Sequence, residues 1–200
     1  DVDADLKNSV YTLSENEISL NDLLLKLDGL VSMPNEEDVV IDLKYGLARA
    51  DFKSILSLVP AIYRKDFQDL KAGGTLQLDG YVKGTYSEKT LPSAKVKLLV
   101  QNAMFSYPGL PKSASNIQVD LEGFYDGANG DNSTLDVNRF HAEIAGNPVD
   151  LSLNVRTPES DMMVNGSLKC NLDLASLKDA IPLDSTLITG NIRAAIDMMG

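Results

Sequence analysis

A mainly β, antiparallel meander is the fold class this sequence predicts, and three observations predict it. Apolar and polar residues alternate at period two along most segments, as they do on a strand with one buried face. Turn-forming clusters of Gly, Pro, Asn and Asp recur about every ten residues, the spacing of short hairpin-linked strands. One stretch also occurs twice. Asp51-Phe52-Lys53-Ser54-Ile55 leads to Pro60, and Gly74 and Gly84 follow. Asp173-Leu174-Ala175-Ser176-Leu177 leads to Pro182, and Gly190 and Gly200 follow. The spacings of the copies differ only between proline and first glycine, where the first is six residues longer.

Each copy reads as a short helix, a stop and a strand. Asp51 and Asp173 are expected N-caps, since an aspartate accepts from the free N–H groups of a first turn and suits its positive end. Pro60 and Pro182 cannot continue a helix. Leu76, Leu78 and Val82 in copy one, and Ile192, Ala194, Ile196 and Met198 in copy two, fall on one strand face. The similarity reaches back to a Pro-acidic turn before each copy, so the repeat covers approximately 39–84 and 163–200. Such repetition points to a structure that grows lengthwise.

Taken in order, Val2 to Leu6 and Val10 to Leu13 predict strands around a turn at Lys7-Asn8-Ser9, with a second turn at Ser14-Glu15-Asn16-Glu17. Leu23, Leu25, Leu27 and Val31 alternate as in a strand, although Leu20, Leu23, Leu24 and Leu27 also fit a helix. Met33 and Pro34 open an acidic turn, and residues 39–47 form a strand into the first repeat helix. Residues 61–71 predict a second helix with Ile62, Phe67 and Leu70 on one side. Residues 94–106 are a long strand, with Val96, Leu98, Val100 and Met104 on one face. Tyr107-Pro108-Gly109-Leu110-Pro111 is a rigid turn. Residues 117–123 place Ile117, Val119 and Leu121 inward, and 126–133 is a polar hairpin tip. Residues 135–144 and 149–155 are two more strands, the second with Leu151 inward. The sum is about ten strands with two or three short helices. One sheet face is apolar and the other wet. The sheet either closes into a sandwich or curls as an open groove.

Composition excludes several functions. A net charge of −11 argues against nucleic acid and against electrostatic docking on anionic membrane. One cysteine, Cys170, excludes an internal disulfide and a multi-cysteine metal site. It shares a strand side with Leu168 and Leu172, where a buried structural thiol is expected. The one histidine, His141, points outward with Arg139 and Glu143, a surface position. The tip from Asp126 has calcium-loop composition but fails the ligand register at Ala128 and Gly130. No catalytic, cofactor-binding or metal-binding residues are therefore expected, and the chain reads as non-enzymatic, with no cofactor. No targeting segment or membrane span is visible. Because the sequence starts within an alternating segment and ends on a strand, it is expected to be a single piece, residues 1–200, of a longer repetitive β-domain.

The stretches 51–61, 70–76, 80–84, 105–111 and 172–177 together resemble the AsmA-like family of Gram-negative envelope proteins. The resemblance implies a periplasmic β-structure, held in the inner membrane by an anchor outside this chain. It also implies a part in outer-membrane assembly or in moving phospholipids along an apolar groove. On that reading Leu76, Leu78, Val82, Leu98, Val119, Leu121, Leu151, Ile192 and Ile196 line the groove. Partners would be phospholipid acyl chains and other envelope proteins. Two other readings stand beside it: an envelope scaffold with a filled core, and an extracellular all-β adhesin-type binding module.

Overall fold

The structure is a computed structural model that describes residues 1–20, 23–55, 70–181 and 188–200. Among the described residues, eleven strands form one sheet in sequential order, each antiparallel to the next. They are β1 (Val2–Asp5), β2 (Val10–Leu20), β3 (Leu23–Ser32), β4 (Val39–Asp51), β5 (Lys71–Tyr86), β6 (Ser93–Ser106), β7 (Ala114–Tyr125), β8 (Thr134–Ile144), β9 (Asn147–Arg156), β10 (Met163–Asp173) and β11 (Asn191–Met199). The sheet is not closed, and β1 and β11 are the first and last of its described strands. The mainly β meander expected from alternation is therefore the fold, in its open form. No helix among the described residues is long and apolar enough to cross a membrane.

Two four-residue helices, α1 (Phe52–Ile55) and α2 (Leu174–Leu177), sit at the same end of the strands. Helix α1 follows β4 and touches β4 and β5, and α2 follows β10 and touches it. Both expected caps are made. The Asp51 carboxylate accepts from the Lys53 N–H at 3.1 Å, and the Asp173 carboxylate accepts from the Ala175 N–H at 3.1 Å. The register also repeats. Asp51 pairs Thr75 and Ala50 pairs Leu76; in the second copy Asp173 pairs Asn191 and Leu172 pairs Ile192. Gly74 and Gly190 both have positive φ, +111° and +124°. Asp173→Ala is expected to lose about 1 kcal/mol of stability as a lost cap. Chemical denaturation beside Asp161→Ala, an exposed turn aspartate, checks it; equal losses would deny the cap.

Several local expectations change. Residues 14–17 are not a turn: β2 runs through them with a bulge between Leu13 and Asn16. Glu15 takes a φ of +52° there, and its N–H donates to the Asp28 carboxylate, so a side chain of β3 replaces the missing ladder partner. Residues 23–32 are a strand, not a helix, which settles the doubly patterned leucines. The expected helix at 61–71 falls outside the described residues, apart from Leu70, which is buried, and Lys71, which already opens β5. Pro60 and Pro182 also lie outside them. Met104 does not share the face of Val96, Leu98 and Val100. A bulge between Val100 and Ala103 turns Ala103 and Phe105 to that face and Met104 to the other. Its hinge is Asn102, with φ +50°, a conformation asparagine tolerates better than most residues.

The buried cluster lies toward the helix-bearing end. It contains Leu23, Leu47, Leu76, Val100, Ala103, Ala114, Ile117 and Ala142. That end is tied across strands. The Lys112 N–H, in the β6–β7 loop, donates to the Asp179 carbonyl beyond α2 at 2.8 Å. The Asn147 amide, at the β8–β9 turn, donates to the Ser176 hydroxyl at 2.7 Å, and its carbonyl accepts from the Asp173 N–H.

Candidate functional site

The apolar face of the sheet is the feature the strands build together. Residues directly opposite on paired strands share a face, so the register gives its rows. One row runs Ala50, Leu76, Val100, Val119, Phe140, Leu151, Leu168 and Ile196, from β4 to β11. The next runs Leu47, Leu78, Leu98, Leu121, Val137, Leu153, Gly166 and Met198. A third joins Tyr45, Gly80, Val96, Gly123, Leu135, Val155 and Val164. Val82 belongs to a fourth, with Leu43, Ala94 and Tyr125. The rows cross the strands, so an apolar track runs along the sheet for roughly 34 Å, at about 4.8 Å per strand.

All the residues expected to line a groove lie on this one face. Ile192 joins it through Leu172, on the same side of β10 as Leu168. Their cover differs. Leu76 is 2% exposed, whereas Ile192 and Ile196 are 45% and 48% exposed. Leu78, Val82, Leu98, Val119, Leu121 and Leu151 are half-buried. The face is thus packed at the helix-bearing end and more open toward the opposite end and toward β11.

Sequence alternation alone missed Ala103, Phe105 and Tyr45 as members of this face. The ring of Tyr45 lies over Gly80, in the space a side chain there would occupy, and its hydroxyl donates to the Lys95 carbonyl at 3.1 Å. Burial, then the nearby Asp79 charge, pushes the Tyr45 phenol above its ordinary value. The Tyr45 and Gly80 pairing was legible only once the register was known.

The other face is wet and charged. Lys83 meets Asp42 at 2.7 Å, Lys95 meets Glu122, and Arg156 grips both oxygens of Asp136 at 2.7 and 3.0 Å. The hydrogen bond to Glu122 holds the Lys95 ammonium above its usual range and the Glu122 carboxyl below its own. These pairs are cross-strand neighbours that fix register more than they add stability, because both members of the lysine pairs stay solvated.

The weaker chemical candidates are placed as follows. His141 lies on the wet face, with Nδ1 2.7 Å from the Asp150 carboxylate and Nε2 3.2 Å from the Asn116 amide. Cys170 is half-buried on the apolar face between Val149 and Ala194, less covered than the buried thiol expected. The Asp126 carboxylate takes hydrogen bonds from the Ala128 and Asn129 N–H groups and the Asn132 amide, which closes its own loop. The Asn132 bond, then the Ala128 one, holds Asp126 below the usual carboxylate range. Among the described residues, no cluster of three or more His, Cys, Asp or Glu side chains could hold a metal ion. No protein-family model, curated protein or solved structure matches the chain.

Proposed function

We propose that this chain is a non-enzymatic segment of an AsmA-like envelope protein, whose apolar sheet face shields phospholipid acyl chains across the periplasm. One observation carries the reading: a row of apolar side chains from Ala50 to Ile196 runs unbroken across eight strands, with further apolar rows beside it, while many of those side chains stay half-exposed. A sheet with one apolar face is stable when that face is covered. Each methylene taken from water contributes about 0.8 kcal/mol, so an acyl chain laid along such rows is held without any specific charge. The periplasmic location, the inner-membrane anchor outside this chain and the role in outer-membrane assembly or phospholipid transport rest on the family resemblance.

The packed cluster around Leu76, Val100 and Ala103 favours a second reading, an envelope scaffold whose face is filled by protein. Site-specific photo-crosslinking in cells separates the two. Crosslinkers at Leu98, Val119 and Leu151 are expected to give lipid adducts, and those at Gln118 and Asp120, on the wet face, to give none. Protein adducts at the inward positions, with no lipid at any of them, would replace the lipid reading with the scaffold.

A further inference from the structure

The end of the sheet away from α1 and α2 carries a second surface, a rim of loops that adjoins the apolar face at Tyr125. Every odd-to-even hairpin from β1 to β10 turns there, and its loops lie wholly within the described residues. Large apolar side chains collect along it. Tyr86, Leu91, Tyr125, Met162 and Met163 are between 40% and 58% exposed. A soluble surface rarely gathers such residues in one place unless something covers them, and Tyr and Met are enriched where proteins meet.

Three loops are locked into one rim. The Gly127 N–H donates to the Ser93 hydroxyl at 3.1 Å, and Gly127 sits so close to the Leu91 carbonyl that no Cβ would fit. The Asp131 carboxylate accepts from the Glu159 and Ser160 N–H groups at 3.0 and 2.9 Å. The β5–β6, β7–β8 and β9–β10 loops therefore present a pre-formed surface, which lowers the ordering cost of binding. Its charge is one-sided. Glu88, Asp126, Asp131, Glu159 and Asp161 stand there against Lys89. The Ser160 bonds hold Asp131 below the usual carboxylate range, so it stays ionised at neutral pH.

We infer that this rim is a docking surface for a cationic protein segment that also carries apolar side chains. The acidic charge repels an anionic lipid surface and draws a basic partner, and Tyr86, Leu91, Tyr125 and Met162 supply the apolar anchors. Charge complementarity sets the encounter, and the locked loops set the shape.

Fluorescence titration of the whole chain with synthetic peptides tests this. The probes are a short lysine, leucine and tryptophan peptide, a lysine–serine peptide of equal charge, and phosphatidylcholine vesicles. The first peptide is expected to bind far more tightly than the second. Tyr86→Ser with Leu91→Ser should weaken it by roughly tenfold, and so should Glu88→Gln with Asp161→Asn. Glu15→Gln with Glu17→Gln, an equal charge change on β2, should leave binding unchanged. Met162→Ser, at a turn, is an independent check should a double variant fold poorly. Equal binding of both peptides, or an equal loss from the β2 variant, would reduce the rim to bulk charge and overturn the proposal. Partition into the vesicles through Tyr86 and Leu91, without peptide binding, would overturn it in favour of a membrane contact.

Discussion

Leu76→Asp is expected to cost at least about 4 kcal/mol and to leave the chain largely unfolded. Leu76 is 2% exposed and stands between Ala50 and Val100 in the packed part of the apolar rows. The substitution removes buried methyl groups and places a carboxylate between Ala50 and Val100, neither of which can pair with it, so two penalties add. Gln77→Asp is the matched control, because Gln77 pairs Leu99 on the wet face. Urea denaturation followed by circular dichroism should separate the two by several kcal/mol. Equal midpoints would place Leu76 outside a packed core and undo the account of the cluster.

Gly74→Ala is expected to cost about 3 kcal/mol, and Gly190→Ala only about 1 to 2 kcal/mol. Both glycines have positive φ, so both alanines carry the same backbone strain. Among the described residues a new Cβ at Gly190 meets nothing within 4 Å, whereas at Gly74 it runs into the backbone of Ala103 and Asn102. The difference between the two measured losses therefore reports the clash alone. Equal losses would show that β6 can move away, and that the bulge at Asn102 is soft.

Period-two alternation made most of the fold legible, because a strand with one wet face writes its geometry into every second residue. Ile117, Val119 and Leu121 on β7, and Leu151 on β9, lie on the face that alternation assigns them. Alternation fails at bulges, where one extra residue reverses the sides of everything beyond it. Met104 was misplaced for that reason. The local signal was an asparagine inside an otherwise apolar strand: Asn102 and Asn116 both adopt positive φ at register shifts. The apparent turn at 14–17 is the same error with the opposite outcome, since polar residues that look like a chain reversal instead kink a continuing strand. The apolar face was legible residue by residue, but its rows were not. Which valine faces which leucine depends on register, and register depends on turns and bulges whose lengths a single chain pattern does not specify. The docking rim was invisible for a different reason. Tyr86 with Leu91, Tyr125 and Met162 come from three separate hairpins, and only the alternating direction of successive strands brings them to one end.

Strict sequential pairing has a kinetic consequence. Each strand bonds to the one made just before it, so every ladder closes across a single connection. Sheets usually form slowly because distant segments must meet first, and the entropy of closing long loops is lost before contacts compensate. Here no such wait exists. A strand emerging during synthesis finds its partner already in place, and the sheet can zip from its first hairpin to its last. The same order sets how it comes apart: the interior strands between β4 and β8 keep two neighbours each and exchange their amide protons last.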